Sequence, residues 1–386
     1  MPERILKGNF MFGDTSDSQL NPYPWYAEKR ESTPVNYNAE TGMWSVFSYQ
    51  DVQRVLSEHA TFSSNYMGGG PLSESLIGMD PPRHRQLRNI VTQAFTPRTV
   101  ARLVPRITAI VNGLLDQAIP RGKMDVVDDL AYPLPITVIA ELLGVPAEDR
   151  DLFRRWSNAI VSTSAVVGLD PETEMGEYFL RMIKRRREEP KDDLISALLA
   201  AQIDDEHLSI TEVLGFCFLL LVAGNETTTN LIGNALLCLD SYPEAWKQLR
   251  AEPALAPAAV EEVLRYLSPV QSMFRLTTSE TTIGDQIIPA HTMVLAWIAS
   301  ANRDEQQFPD ASTFDFRRTP NRHIAFGHGI HFCLGAPLAR LETKIVLEAL
   351  LERFSEIQRV QNVPLQRTDS FFLYGLKHLP VTFKVS

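Results

Sequence analysis

The stretch FGHGIHFCLGAPLAR, residues 326–340, sets a single thiol, Cys333, among three glycines and two histidines. Glycine permits backbone conformations closed to other residues and lets a flat ligand approach the chain closely. Cys333 also stands just before Pro337–Phe354, a segment patterned as a helix. The unpaired N–H groups and positive potential at a helix start favour a thiolate. The setting therefore suits a permanently ionised sulfur.

Four chemistries are open to such a residue. A free Cys is often a small buried hydrophobe. A nucleophilic Cys needs a base, for which His331 or His328 is near, and no third group is evident. A zinc site would draw on His323, His328, His331 and Cys333, in a spacing that fits no common zinc pattern. Haem iron held by one axial thiolate is the fourth, and it alone accounts for the glycines.

The spacing F-G-x-G-x-H-x-C-x-G, met by Phe326, Gly327, Gly329, His331, Cys333 and Gly335, resembles the haem-binding signature of the cytochrome P-450 family, the haem-thiolate monooxygenases. The resemblance implies haem b (iron protoporphyrin IX) as cofactor, with Cys333 as the proximal iron ligand. A thiolate in that position pushes electron density toward the iron and favours O–O cleavage.

Other segments resemble the family in the same order. AVEEVLRYLSP holds Glu262 and Arg265 three apart, on one helix face. The resemblance implies that the pair is buried and joined by Arg318 of FDFRRTPN, in a network that fixes geometry more than it adds stability. A Pro frequent in this loop among relatives is absent here. AGNETTTN, residues 223–230, breaks an apolar helical run with glycine and polar residues that each cost helix stability. Read alone, threonines there bond back to the preceding turn. By resemblance, Glu226 and Thr227 are an acid–alcohol pair over the distal haem face. Thr227 would hold water and steady dioxygen, and Glu226 would link that water to bulk solvent. Ala223 and Gly224 would leave room for dioxygen and substrate. His84 and Arg88 of DPPRHRQLR, Arg275 of FRLTTSE, and His331 would hold the haem propionates, and the arginine fork is well suited to carboxylates. ASANRDEQQFPD, residues 299–310, resembles a family stretch of mainly structural role.

The elements that must position these residues are mostly helical. Ser209 and Glu212 form a capping box at the start of a helix expected over Ser209–Asp240, about 45 Å long, with Tyr242-Pro243 as its stop. Helices are expected over 50–58, 136–143, 147–160, 174–188, 256–266 and 337–354. Leu103, Ile107, Ile110, Val111 and Leu114 follow helical spacing and belong to a core. Val35–Asn38 and Trp44–Tyr49 flank a Thr41-Gly42 turn and read as a hairpin. Residues 20–34 read as a packed entry segment, 63–80 as a long loop, and Lys184–Lys191 as a solvated charged turn. The resulting class is mainly α with a small β portion, at about 35–62, 270–300 and the C-terminus. One domain over 1–386 is expected, with a long helix over the haem and a Cys-ligand loop beneath it.

Composition narrows the rest. Apolar residues are 44% and charged residues 22% of the chain, an ordinary globular balance. A net charge of −10 argues against a broad nucleic-acid surface. Cys217, Cys238 and Cys333 form no CxxC pair, which argues against thiolate cages and disulfide frameworks. The first residues lack the apolar core of a signal peptide, and the run Phe216–Ala223 is shorter than the roughly 20 residues of a membrane helix. A cytoplasmic protein with no membrane anchor, and a monomer, is expected. By resemblance, one oxygen atom enters a C–H bond, and electrons come from a ferredoxin- or flavodoxin-type donor with its reductase. Arg83, Arg85, Arg340 and Lys344 are candidate docking cations. Ile77, Val222, Ala223, Thr227, Val270, Met273, Phe372 and Leu373 should line a pocket for a hydrophobic substrate such as a fatty acid, terpenoid or steroid, under a lid at 160–176. A peroxide-driven enzyme and a haem sensor without turnover are the alternatives. The acid–alcohol pair argues against both.

Overall fold

The computed structural model describes residues 20–66, 68, 72–92, 95–161, 170–203 and 206–386. The first helices are α1 (Tyr23–Ser32), α2 (Tyr49–Ser57), α3 (Arg83–Thr92), α4 (Pro97–Ala101), α5 (Val104–Ala118) and α6 (Pro133–Leu142). Next come α7 (Arg150–Val161), α8 (Pro171–Glu188), α9 (Leu194–Ala200) and the long α10 (Ile210–Ser241). The series continues with α11 (Pro243–Ala251), α12 (Ala256–Tyr266), the short α13 (Ile298–Ala301) and α14 (Ala336–Arg353). The expected helices are thus present, most ends falling within three residues of the sequence reading. Helix α1 lies in the segment read only as packed, with Pro22 as its N-cap residue and Pro24 inside its first turn.

The helix α10 begins as its capping box requires. Ser209 Oγ accepts the Glu212 N–H at 3.2 Å, and Glu212 Oε2 accepts the Ser209 N–H at 2.9 Å. It packs on α6, α7, α8, α12 and α14 and so occupies the middle of the helical layer. By length and composition it could cross a membrane, yet 21 of its 32 residues are buried, Asn225, Glu226 and Asn230 among them. Those contacts are what a core helix makes.

Five short strands form one mixed sheet in the order β1 (Val35–Asn38), β2 (Met43–Val46), β10 (Met293–Ala296), β7 (Met273–Thr277) and β3 (Phe62–Ser63). Gly42, at φ +69°, closes the expected β1–β2 hairpin. A second sheet runs β11 (Phe354–Arg359), β12 (Pro380–Val385) and β4 (Lys123–Asp125). Two hairpins, β5 (Gln202–Ile203) with β6 (Glu206–His207) and β8 (Thr281–Ile283) with β9 (Gln286–Ile288), stand apart.

The charged run at 184–191 departs from expectation. Most of it continues α8, and Arg186 is buried, paired with Asp193 and bonded to the Gly144 carbonyl at 3.0 Å. An arginine that meets a carboxylate and a carbonyl together is cheaper to bury than its charge alone indicates. Residues 162–169 of the expected lid, and 67 and 69–71 of the expected loop, lie outside the described residues.

Candidate haem site

The cysteine loop is pinned from both sides. The Cys333 N–H bonds the Phe326 carbonyl at 2.8 Å, and the Cys333 carbonyl accepts the Ala336 N–H at the start of α14. Gly327 and Gly329 take φ +73° and +72°. At Gly329 the backbone also leaves no room, since a Cβ would stand 2.9 Å from Ser57 Cα at the end of α2. His328 Nδ1 meets Ser57 Oγ at 2.8 Å on the same contact. Arg340 lies 4.5 Å from the Phe326 ring centre and forks onto both oxygens of Glu261, whose Oε2 also meets His323 Nε2 at 3.0 Å. His323 is therefore committed to Glu261, which removes it from the zinc set, and His328 is held by Ser57.

Cys333 is exposed, although protein bulk packs around its loop. That surrounding bulk pushes the thiol above its ordinary value. The N–H groups of Gly335 and Ala336 and the charges of Arg88 and Arg340 pull it back only in part. The expected permanent thiolate is thus not a property of the polypeptide alone. A coordinated metal, the largest charge such a site can hold, deprotonates a thiol outright.

Beside the loop, the four sequence-predicted cations converge. The rings of His84 and His331 are 4.4 Å apart. Burial first, and then the neighbouring charge of Arg88, holds His84 down at about 4; burial and Arg275 hold His331 at about 3. Neither Nε2 has a hydrogen-bond partner. Arg275, on β7, is 3% exposed and, among the described residues, bonds only the Phe274 carbonyl, at 2.7 Å. Arg88 bonds the Phe332 carbonyl at 2.6 Å. His59 and Tyr66, unmarked by any motif, also adjoin this group. Asp80 acts on His84 and Arg275 only from a distance, its carboxylate being bonded to Ser63 and Ser64 instead, and a buried arginine such as Arg275 is costly unless an anion completes it. A ligand with carboxylates on its edge and a metal at its centre fits these residues and Cys333 together.

On α10, Ala223 is exposed and Thr227 half-buried, while residues 228–236 are buried. Thr227 Oγ1 donates to the Ala223 carbonyl at 2.6 Å, the back-bond ordinary for a helical threonine. Glu226 is 7% exposed, and Ser157 Oγ stands 3.5 Å from its Oε1. Gly224 departs from expectation: a Cβ there would lie 3.0 Å from Ile139 Cδ1. Its smallness admits α6, so the room on this helix is at Ala223.

The Glu262–Arg265 pair is fully buried, with contacts of 2.8 Å at both ends of the fork. Arg318 Nε reaches Glu262 Oε1 at 3.5 Å, joining the network as expected. Three carbonyls, of Asn302, Ala311 and Thr313, complete Arg265, and the Asp315 N–H and Asn321 Nδ2 complete Glu262. Asn302 also accepts the Ile324 N–H at 2.8 Å, which ties the 299–310 stretch to the irregular segment leading into the cysteine loop.

Of the expected pocket residues, Val270 bridges Leu373, and Gln271 N–H bonds the Phe372 carbonyl at 2.8 Å. Met273, Val222 and Phe372 are partly buried at the edges of the core clusters, and Ile77 lies in a short turn, Leu76–Gly78, that contacts α10. Among the proposed docking cations, Arg83 pairs with Glu212, Arg340 with Glu261 and Lys344 with Glu348. Arg85 is exposed.

Comparison with known proteins gives this geometry its family. Residues 172–384 match the family profile described as Cytochrome P450. Cytochrome P450 109 of Bacillus spizizenii is 43% identical over 95% of this chain and 93% of its own length. The erythromycin C-12 hydroxylase of Saccharopolyspora erythraea is 41% identical over 92% and 93%. The crystal structure of CYP109E1 from Bacillus megaterium in complex with testosterone superposes with a TM-score of 0.92 at 40% identity, covering 96% of this chain and 99% of that one. An exposed thiol, a set of His and Arg side chains suited to carboxylates and an acid–alcohol pair on the central helix are thereby joined by one cofactor, haem, and the chain belongs to the cytochrome P450 family of monooxygenases.

Proposed function

We propose that this monooxygenase inserts one oxygen atom of dioxygen into a C–H bond of a small or medium hydrophobic substrate of the fatty-acid, terpenoid or steroid kind. The observation that carries the reading is the set formed by buried His84 and Arg275 with half-buried Arg88 and His331 beside Cys333. The relative crystallised with testosterone supports the steroid end of that range, and the erythromycin hydroxylase supports larger cyclic substrates.

Substrate RH, dioxygen, two electrons and two protons give ROH and water. The bound haem supplies the oxygen activation, tuned by its thiolate ligand. The chain supplies the rest. Cys333 would hold the metal, and Arg88 and Arg275, with neutral His84 and His331 as hydrogen-bond donors, would hold the two propionates. Thr227 can turn its hydroxyl from the Ala223 carbonyl to a water, and Glu226, one residue away, passes protons to that water. Val222, Ala223, Val270, Met273, Phe372, Leu373 and Ile77 orient an apolar substrate and exclude bulk water. We assign residues 1–386 to one haem domain, acting as a cytoplasmic monomer. Its electrons come from a separate ferredoxin- or flavodoxin-type donor and its reductase.

Reduction under carbon monoxide tests the reading. A strongly red-shifted Soret band, lost in Cys333→Ala, is expected. Product should form from dioxygen with electron donors and not from peroxide alone. Absence of any haem band after expression with ample haem would reject the reading.

A further inference from the structure

Glu226 opens onto a compartment that Thr227 does not line. A cavity of about 320 Å³ runs beside α10, lined by Glu226, Thr229 and Asn230 of that helix, by Asp128, by Ser370 and His378 of the C-terminal segment, and by Leu373, one of the substrate-pocket residues named above. Its two ends differ. Glu226 is 7% exposed, at the inner end, whereas the His378 side chain is 60% exposed, at the surface. His378 Nδ1 is held at 3.0 Å by Asp125 and 3.2 Å by Asp128. Between them, Asn230 is 3% exposed, lines the cavity, and has no hydrogen-bond partner for its Nδ2. A buried amide donor without a partner is costly in a dry space, and a water satisfies it. A cavity of that volume has room for several water molecules.

We propose that this cavity is the water-filled proton entry of the enzyme, with the His378–Asp125–Asp128 cluster at its mouth. The proposal rests on the role given to Glu226 above. The reaction takes up two protons per turnover, and a 7%-exposed carboxylate cannot draw them from bulk solvent unaided. A proton enters from bulk water at the His378 cluster and moves along the cavity waters to the Glu226 carboxylate. The carboxyl gives it to the water held by Thr227, and the next proton from the cavity restores the acid. Asn230 fixes one water of the file by donating to its oxygen.

Two readouts test this on the haem-loaded protein. The first is a high-resolution crystal structure, which should show ordered waters from His378 to Glu226, one of them on Asn230 Nδ2, with that water lost in Asn230→Leu. A dry cavity, or substrate density filling it, overturns the proposal. The second is the partition of electrons between product and hydrogen peroxide. Asn230→Leu and His378→Gln should each cut product per electron roughly threefold and enlarge the solvent isotope effect, and Glu226→Gln roughly tenfold. If Glu226→Gln uncouples while the other two leave the partition unchanged, the entry lies elsewhere and the proposal fails. If Glu226→Gln also changes nothing, the proton role of the acid fails first, and the entry with it.

Discussion

The rings of His84 and His331 stand 4.4 Å apart, and neither Nε2 has a hydrogen-bond partner. Two imidazoles in contact, with Arg275 and Arg88 adjacent, are held neutral by burial and by each other's company. Propionates would supply acceptors for all of them. Arg275 is the most buried of the arginines involved, so its loss should be felt most. Arg275→Ala should weaken haem binding by about 1.5–3 kcal/mol, the usual worth of a hydrogen bond to a charged group. Titrating the apoprotein with haemin and following the Soret band measures this directly. An unchanged affinity would remove Arg275 from the propionate set.

Gly329 makes a second prediction, this time on stability. Its φ of +72° disfavours any side chain, and a Cβ would meet Ser57 Cα at 2.9 Å and the Leu56 carbonyl at 3.1 Å. Both atoms are backbone and cannot swing aside. Gly329→Ala should therefore destabilise the protein by about 2–4 kcal/mol and displace the loop that carries Cys333. Thermal unfolding reports the first effect, and the Soret position of the haem-loaded variant the second. Gly327, whose nearest non-local atom is 3.8 Å from a Cβ, should suffer only the φ penalty.

These two sites mark the boundary of what was legible in the sequence. The cysteine motif, the E-x-x-R pair and the acid–alcohol pair are local patterns, so the chain order alone displays them. Ser57 and His59 belong to the same site but come from other elements, at separations no periodicity records, and Asn302 and Asn321 stood within quoted stretches without any sign of their partners. Gly224 was legible as a small residue and misleading as to why: only the packing of Ile139 shows which face its smallness serves. Arg186 shows the same limit for charge. Within KRRREEPK it is indistinguishable from its solvated neighbours until Asp193 and the Gly144 carbonyl are seen around it.

The buried Glu262–Arg265 pair predicts a large loss on partial removal. Both side chains are 0% exposed, and five further groups depend on them besides Arg318. Glu262→Gln keeps the shape but leaves the Arg265 charge uncompensated. Breaking such a pair from one side costs about 3–5 kcal/mol. Denaturant unfolding should show that loss, together with poorer haem incorporation, since Asn302 connects this network to Ile324 ahead of the cysteine loop. A change below about 1 kcal/mol, the range of exposed pairs, would mean that the network bears little of the fold.

Glu261 gives the pH dependence its sign. Burial alone would raise its carboxyl, but the hydrogen bonds from His323 and Arg340 win and hold it at about 2, below an ordinary 4.5. A carboxyl depressed in the folded state stabilises above its unfolded value, and that contribution drains away as pH falls from about 4.5 toward 2. The side chain is 32% exposed, so screening reduces the effect to on the order of 1–2 kcal/mol. Glu261→Gln should lower stability at pH 7 and flatten the acid limb of the unfolding curve by the same amount. Arg340 would then keep its stack on Phe326 without its carboxylate anchor. The Soret band of the variant should therefore broaden at neutral pH if this pair steadies the cysteine loop, and keep its wild-type shape if the pair serves stability alone.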